Sequence, residues 1–324
     1  MRKALIVGID DYPNCPLFGC VNDAKEIGKL LEKNQDGSRN FDIKLLENTK
    51  TKGELLEAIK SLFCEGTNEI ALLYFSGHGT KERNGGIVTP DYNGPDFGIS
   101  MNDILSYAND SMSQNKVIIL DSCYSGALGE LSTINSNESV IGQGVTIIAS
   151  SNRDEISAED SISGHGVFTE LLIQGLNGGA ADVSGSITPA SLYSFVDQSL
   201  GSWEQRPIFK TNISSFISLR TVEPKISKNI LRKVCIYFEN PNQEYKLDPS
   251  YEFTNSVGYQ IEKRKPYAID EHIKILKDLQ QLESVGIVEP VGEEHMYFAA
   301  MNSKSCKLTP LGLHYWKLSK DSRF

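Results

Sequence analysis

Two segments 45 residues apart constrain this chain more than anything else in it: LLYFSGHGT at residues 72–80 and VIILDSCYSG at residues 117–126. Each is a short apolar run that stops at a small-residue turn carrying one reactive side chain, His78 in the first and Cys123 in the second. Runs of that kind read as strands buried on both faces of a parallel sheet. In an open α/β sheet the groups just past the carboxyl ends of such strands form the ligand crevice. His78 and Cys123 are therefore predicted side by side on one rim, where an imidazole takes the thiol proton and the thiolate attacks a carbonyl carbon.

The surrounding pattern fits that sheet. Strands are predicted at Lys3–Ile9, Phe41–Leu46, Ile70–Phe75, Val117–Leu120, Val145–Ala149 and Ile208–Lys210. Helical periodicity falls between them at Asp23–Lys33, Thr51–Phe63, Met101–Ala108, Val167–Leu176 and Pro189–Leu200. Six strands separated by helices imply right-handed crossovers and a mostly parallel six-stranded sheet flanked by helices. The alternation stops near Thr221, and so does the charge bias: residues 221–324 carry 15 Lys and Arg against 14 Asp and Glu, which leaves −11 of the net −10 on residues 1–220. The expected division is 1–220 and 221–324.

Composition narrows the class. With 40% hydrophobic residues the chain can bury a sizeable core. The first apolar run, Ala4–Ile9, is closed by Asp10 and Asp11 and is too short for a signal peptide, and no stretch has the roughly 18 apolar residues of a membrane span. The six cysteines show no CxxC and no paired metal-ligand spacing. A reduced cytoplasmic compartment, in which a catalytic thiol stays free, is the simplest expectation. The net charge of −10 argues against nucleic acid as the main partner.

KALIVGIDDY (3–12) with LFGCVNDAKEIGKLL (17–31), the FSGHG and LDSCYSG turns, TIIASSNRDEISAE (146–159), GHGVFTELLIQGL (164–176) and WEQRPIF (203–209) follow one another in an order that resembles the caspase-like cysteine peptidases. The match is to the metacaspase and orthocaspase branch of peptidase family C14 rather than to the animal caspases, which set the cysteine in Gln-Ala-Cys-x-Gly. The resemblance implies a His78–Cys123 dyad, with the amides of Gly79 and Cys123 as the oxyanion hole. Gly77 and Gly79 let the backbone come close to a substrate, and a helix starting near Ser125 would favour the thiolate.

It also implies a pocket for the residue before the scissile bond, lined by Asp23, Ser76 and Asp121. Two carboxylates in a narrow pocket raise each other's pKa unless a cation sits between them, so substrates with Arg or Lys at that position are expected. For Asp23 and Asp121 the bland alternative is a helix cap and a turn hydrogen bond. His165 repeats the Gly-His-Gly look but precedes a helix, and is read as a loop or cap residue. Cys20 matches a cysteine near the family's site and is read as structural. Many metacaspases need calcium, yet residues 80–98 offer only Glu82, Asp91 and Asp96, so no metal is assigned.

In the last hundred residues a helix is expected at Asp270–Ser284, then strands Ile287–Val291 and Met296–Ala300 joined by Gly292-Glu293-Glu294-His295, then a helix opening at Thr309-Pro310. Helix, hairpin, helix outlines a small α+β winged-helix-like domain. Its first helix is not basic and its wing tip is acidic, which favours protein or small-ligand contact over DNA, and the resemblance implies activation by a protein or a small nucleotide ligand. Residues 233–265, with Lys263-Arg264-Lys265, form either an anion-attracting surface or an ordinary solvated run.

The resulting expectation is a cytoplasmic cysteine endopeptidase acting on proteins after Arg or Lys and controlled by its C-terminal domain. By resemblance, bacterial relatives act in antiviral or stress responses. Two alternatives stand beside it: a DNA-binding winged-helix regulator with a caspase-like scaffold, and a catalytically silent interaction module.

Overall fold

The computed structural model describes residues 1–80, 85–93, 96–122, 141–150, 159–160, 164–201, 206–213, 215–260 and 262–323. Two compact units result, Met1–Glu223 and Pro224–Phe324.

In the first unit the chain runs β1 (Arg2–Gly8), α1 (Cys20–Glu32), β2 (Asp42–Glu47), α2 (Lys52–Cys64) and β3 (Ile70–Ser76). After β4 (Gly79–Thr80), β5 (Gly86–Val88) and β6 (Gly98–Ser100) come α3 (Met101–Asp110), β7 (Asn115–Asp121) and β8 (Val145–Ala149). β9 (Glu159–Asp160), β10 (His165–Gly166), α4 (Val167–Gln174), β11 (Ser186–Ile187), α5 (Pro189–Ser199), β12 (Ile208–Asn212) and β13 (Arg220–Thr221) complete it. The main sheet has the order β12-β8-β7-β3-β1-β2, with every neighbour pair parallel except β12 against β8.

All seven residues of β3 and all seven of β7 are buried, as their unbroken apolar runs require. Side chains alternate between two cores. Ala71, Leu73 and Phe75 join Ile118 and Leu120 beneath Leu55, Ile59 and Leu62 of α2 and Ile104 and Leu105 of α3. Leu72 and Tyr74 face the other way with Val117 and Ile119, beneath Ile27 and Leu31 of α1, Phe168 and Leu172 of α4 and Leu192 of α5. The predicted elements all appear, shifted by a few residues at their ends. Thr51, Ser100 and Thr188 cap α2, α3 and α5 by accepting from Glu54, Asp103 and Ser191 amides. The small sheet β4-β5-β6, which follows the His78 turn, is absent from the sequence reading because its strands are two or three residues long.

The second unit contains α6 (Lys228–Tyr237), β14 (Tyr245–Lys246), α7 (Asp270–Ser284), β15 (Val288–Val291), α8 (Met296–Met301), β16 (Ser305–Leu308) and α9 (Pro310–Lys320), with a sheet ordered β14-β16-β15. The helix at 270–284 and the helix capped by Thr309, which accepts from the Gly312 amide at 3.0 Å, are as expected. The strand expected at Met296–Ala300 is instead helix α8, and β15 pairs antiparallel with β16, Val288 opposite Leu308. Met296, Ala299 and Ala300 are buried at helical spacing, which a five-residue apolar run cannot distinguish from a strand. The acidic tip Gly292–His295 therefore leads into a helix and does not close a hairpin. In the basic stretch, Lys233 pairs with Asp278 at 2.6 Å, and Arg264 is bound to Asn302 at 2.5 Å and to the Met301 carbonyl at 3.1 Å. These two cations are held by internal partners.

Candidate active site

The parallel register sets Ser76 of β3 opposite Asp121 of β7. His78 and Cys123 are each two positions beyond that pair in sequence. Cys123 lies outside the described residues, as do the expected helix start at Ser125 and Glu82. The ladder continues past the strands: the Ile9 amide donates to Ser76 O at 3.1 Å and the Gly77 amide to Asp121 O at 3.2 Å. Ser122, buried, donates its amide to Ser150 Oγ at 3.2 Å, tying the end of β7 to the residue after β8.

His78 is half-buried, and its Nε2 lies 2.7 Å from the Cys15 carbonyl oxygen. A carbonyl only accepts, so Nε2 carries the proton and Nδ1 is left as the basic nitrogen. Its amide donates to Tyr12 Oη at 3.1 Å, and the two rings are 4.5 Å apart. Tyr12 in turn donates to the Val88 carbonyl at 3.2 Å. Gly77 is required here: a Cβ on it would lie 2.7 Å from Tyr12 Oη and 2.8 Å from the Phe75 ring. Gly79 follows as the first residue of β4, opposite Ile87. Neither Cys15, which acts through its main chain, nor Tyr12 carried a sequence signal for these roles.

Asp23, Ser76 and Asp121 do come together. Asp23 stands in the first turn of α1, whose end is capped by Asp10: its carboxylate accepts from the Cys20 amide at 2.8 Å and the Val21 amide at 3.2 Å. Asp23 is thus released from the capping role. Ser76 Oγ donates to Asp23 Oδ2 at 3.0 Å. Thr169 Oγ1 donates to Asp121 Oδ2 at 2.7 Å and accepts from Tyr74 Oη at 2.6 Å. Asp23 and Asp121 are 1% and 6% exposed. Burial, and then the neighbouring Asp121, push the Asp23 carboxyl up to about 7, against the opposing pull of His165 and Ser76.

One sequence expectation changes. His165 is not merely a loop or cap residue, because its Nδ1 lies 2.7 Å from Asp23 Oδ1. Its place beside Asp23 follows from β10 and α4, which no local pattern reveals. Cys20 is buried, and burial followed by a partly offsetting hydrogen bond with Ser76 pushes its thiol well up, so it stays protonated near neutrality. Of the calcium candidates, Asp91 accepts from the Lys52 amide with both oxygens, Asp96 pairs with Lys52 Nζ at 2.7 Å, and Glu82 lies outside the described residues. Among the described residues no helix is long and apolar enough to cross a membrane.

The raised Asp23 value gives a stability prediction. A carboxyl held above its unfolded value of about 3.9 stabilises the fold most below that pH, and the contribution disappears as the pH rises through about 7. Asp23→Asn removes the titration, so its melting temperature should exceed that of wild type at pH 8 by several degrees, for an effect on the order of 2 kcal/mol. At pH 4 the two should nearly coincide. A difference that is the same at both pH values would contradict the assigned cause.

The Caspase domain family model, peptidase C14, matches residues 1–217. In solved structures the chain is similar to protein GSU0716 of Geobacter sulfurreducens, at 15% identity and a TM-score of 0.50, over 69% of this chain and 100% of that one. It is also similar to caspase-1 of Spodoptera frugiperda, at 14% identity and a TM-score of 0.50, over 68% of this chain and 91% of that one. At such identities the likeness concerns the fold. Comparison with curated proteins gives no match.

Proposed function

Because the chain belongs to the caspase-domain family, we propose that it is a cysteine endopeptidase that cuts proteins after Arg or Lys, with His78 as base and Cys123 as nucleophile. The family points to cysteine-peptidase activity on protein substrates. The finer reading rests on one observation: Asp23, Ser76 and Asp121 converge, buried, beside the strand ends that lead to His78 and Cys123. His78 Nδ1 takes the Cys123 proton while the Cys15 carbonyl holds Nε2–H, and the thiolate attacks the carbonyl carbon. The Gly79 and Cys123 amides would stabilise the oxyanion. The leaving amine takes the proton back from His78, and water then releases the acyl group. A substrate's basic side chain would pair with the carboxylates of Asp23 and Asp121. The second unit is assigned control through a bound protein or nucleotide, in the cytoplasm.

Fluorogenic peptides ending in Arg, Lys or Asp, with wild type and Cys123→Ala, with and without calcium, test this. Cys123-dependent release after Arg and Lys in chelator supports it. Release after Asp alone, or none after any activation, defeats it.

A prediction about processing follows. Residues 124–144 contain no Lys or Arg, so an enzyme of this specificity cannot cut itself there. Among the basic residues 220–233, Arg220 is buried with its guanidinium on the Lys33 and Leu176 carbonyls, and Lys228, Arg232 and Lys233 lie in α6. Lys225 is exposed and outside regular structure. Intact-mass analysis of active enzyme should show an uncut first unit, with any self-cleavage after Lys225. A cut mapped within 124–144 overturns the basic specificity.

A further inference from the structure

The segment that carries His165 lies over both acidic side chains of the proposed pocket. His165 Nδ1 is 2.7 Å from Asp23 Oδ1, and the Gly166 amide is 3.5 Å from Asp23 Oδ2. A Cβ on Gly166 would sit 2.6 Å from Asp121 Oδ2 and 3.6 Å from Asp23 Oδ2, so the main chain itself closes the space over the two carboxylates. Asn22 fastens the segment from α1, donating to the Gly164 carbonyl at 3.2 Å with the His165 ring nitrogens at 3.2 and 3.4 Å. Of the groups packed around Asp23, Ser76, Asp121, Tyr74 and Cys20 cannot carry positive charge, whereas the His165 ring can.

We propose that His165 is the resident occupant of this pocket: its imidazole holds Asp23 Oδ1 in the substrate-free protein, and a substrate's guanidinium or ammonium must displace it to reach Asp23. The inference rests on the proposed basic-residue pocket and adds a specificity-determining residue to it. Displacing the ring breaks a hydrogen bond to a buried carboxylate. A cationic side chain replaces that bond with an ion pair, bidentate where the side chain is a guanidinium. A neutral side chain of similar size takes the place of that bond without offering the buried Asp23 a charged partner. His165 thereby excludes neutral side chains at the expense of some affinity for basic ones.

The test measures binding, so that turnover does not enter. A fluorescent peptide ending in Arg is titrated by anisotropy into Cys123→Ala, alone and combined with His165→Ala, His165→Asn, Asp23→Asn, and Asp23→Asn with His165→Ala. We expect His165→Ala to tighten binding at least fivefold, and His165→Asn, which keeps a polar side chain there, to tighten it less. In the Asp23→Asn background the His165 substitution should change binding less than twofold, because nothing is then left to compete for. Unchanged or weaker binding in both His165 variants, or equal tightening with and without Asp23, overturns the inference while leaving the pocket intact. Equal binding of Arg-ending and Asp-ending peptides overturns the pocket reading and this inference with it.

Discussion

Cleavage falls to background when Cys123 is replaced by Ala or His78 by Ala, and the double variant is no worse than either single one. Members of a nucleophilic unit act together, so each single loss costs nearly the whole effect, on the order of five to six orders of magnitude in turnover. The His78 half of this expectation has a structural basis in the Cys15 carbonyl, which fixes the tautomer, and in Tyr12, which holds the His78 amide and packs on its ring. Tyr12→Phe removes the amide's partner but keeps the ring contact, so it should cost far less than His78→Ala. Cys20→Ala serves as the control for the choice of sulfur. Its thiol is buried and kept protonated, and the variant should remain active. Activity in Cys123→Ala that vanishes in Cys20→Ala would show the wrong nucleophile was assigned. Single-turnover rates on one Arg peptide, with thermal melts to confirm folding, decide the matter.

The first unit was legible in the sequence wherever a local signal was strong. β3 and β7 read as buried strands because Ile70–Phe75 and Val117–Leu120 are unbroken apolar runs. The pocket residues were reached by resemblance, since Asp23 and Asp121 are 98 positions apart and only the register of β3 on β7 and the start of α1 bring them together. What stayed hidden was held by the main chain or by chance of packing. The Cys15 carbonyl has no side-chain identity to read. His165 resembled a loop residue because the segment that lays it on Asp23 is specified by contacts with α1, not by its own neighbours. The error at Met296–Met301 has a different origin: Met-Tyr-Phe-Ala-Ala is apolar on every side, and only its packing decides between helix and strand.

Asp121→Ala should lower kcat/KM for an Arg peptide by about two to four orders of magnitude, the equivalent of about 3–5 kcal/mol for leaving a desolvated charge without its partner. The effect should exceed that of Asp23→Ala. Asp121 is held by Thr169, which Tyr74 orients in turn, whereas Asp23 has His165 on one oxygen and Ser76 on the other, so on the inference above a substrate's cation must displace His165 to reach Asp23. Asp121→Asn separates charge from shape. It keeps an acceptor for Thr169 and nearly the same volume but cannot balance a guanidinium, so it should resemble Asp121→Ala in kcat/KM for Arg while melting like wild type or above it, because the repulsion that raises Asp23 is gone. The loss should appear with Lys peptides too, smaller in size because an ammonium makes no bidentate pair. A citrulline peptide, neutral but shaped like Arg, should be cleaved poorly by wild type and no worse by Asp121→Ala. Equal losses for Arg and citrulline would mean that Asp121 supports the fold of the turn before Cys123 and does not read the substrate's charge.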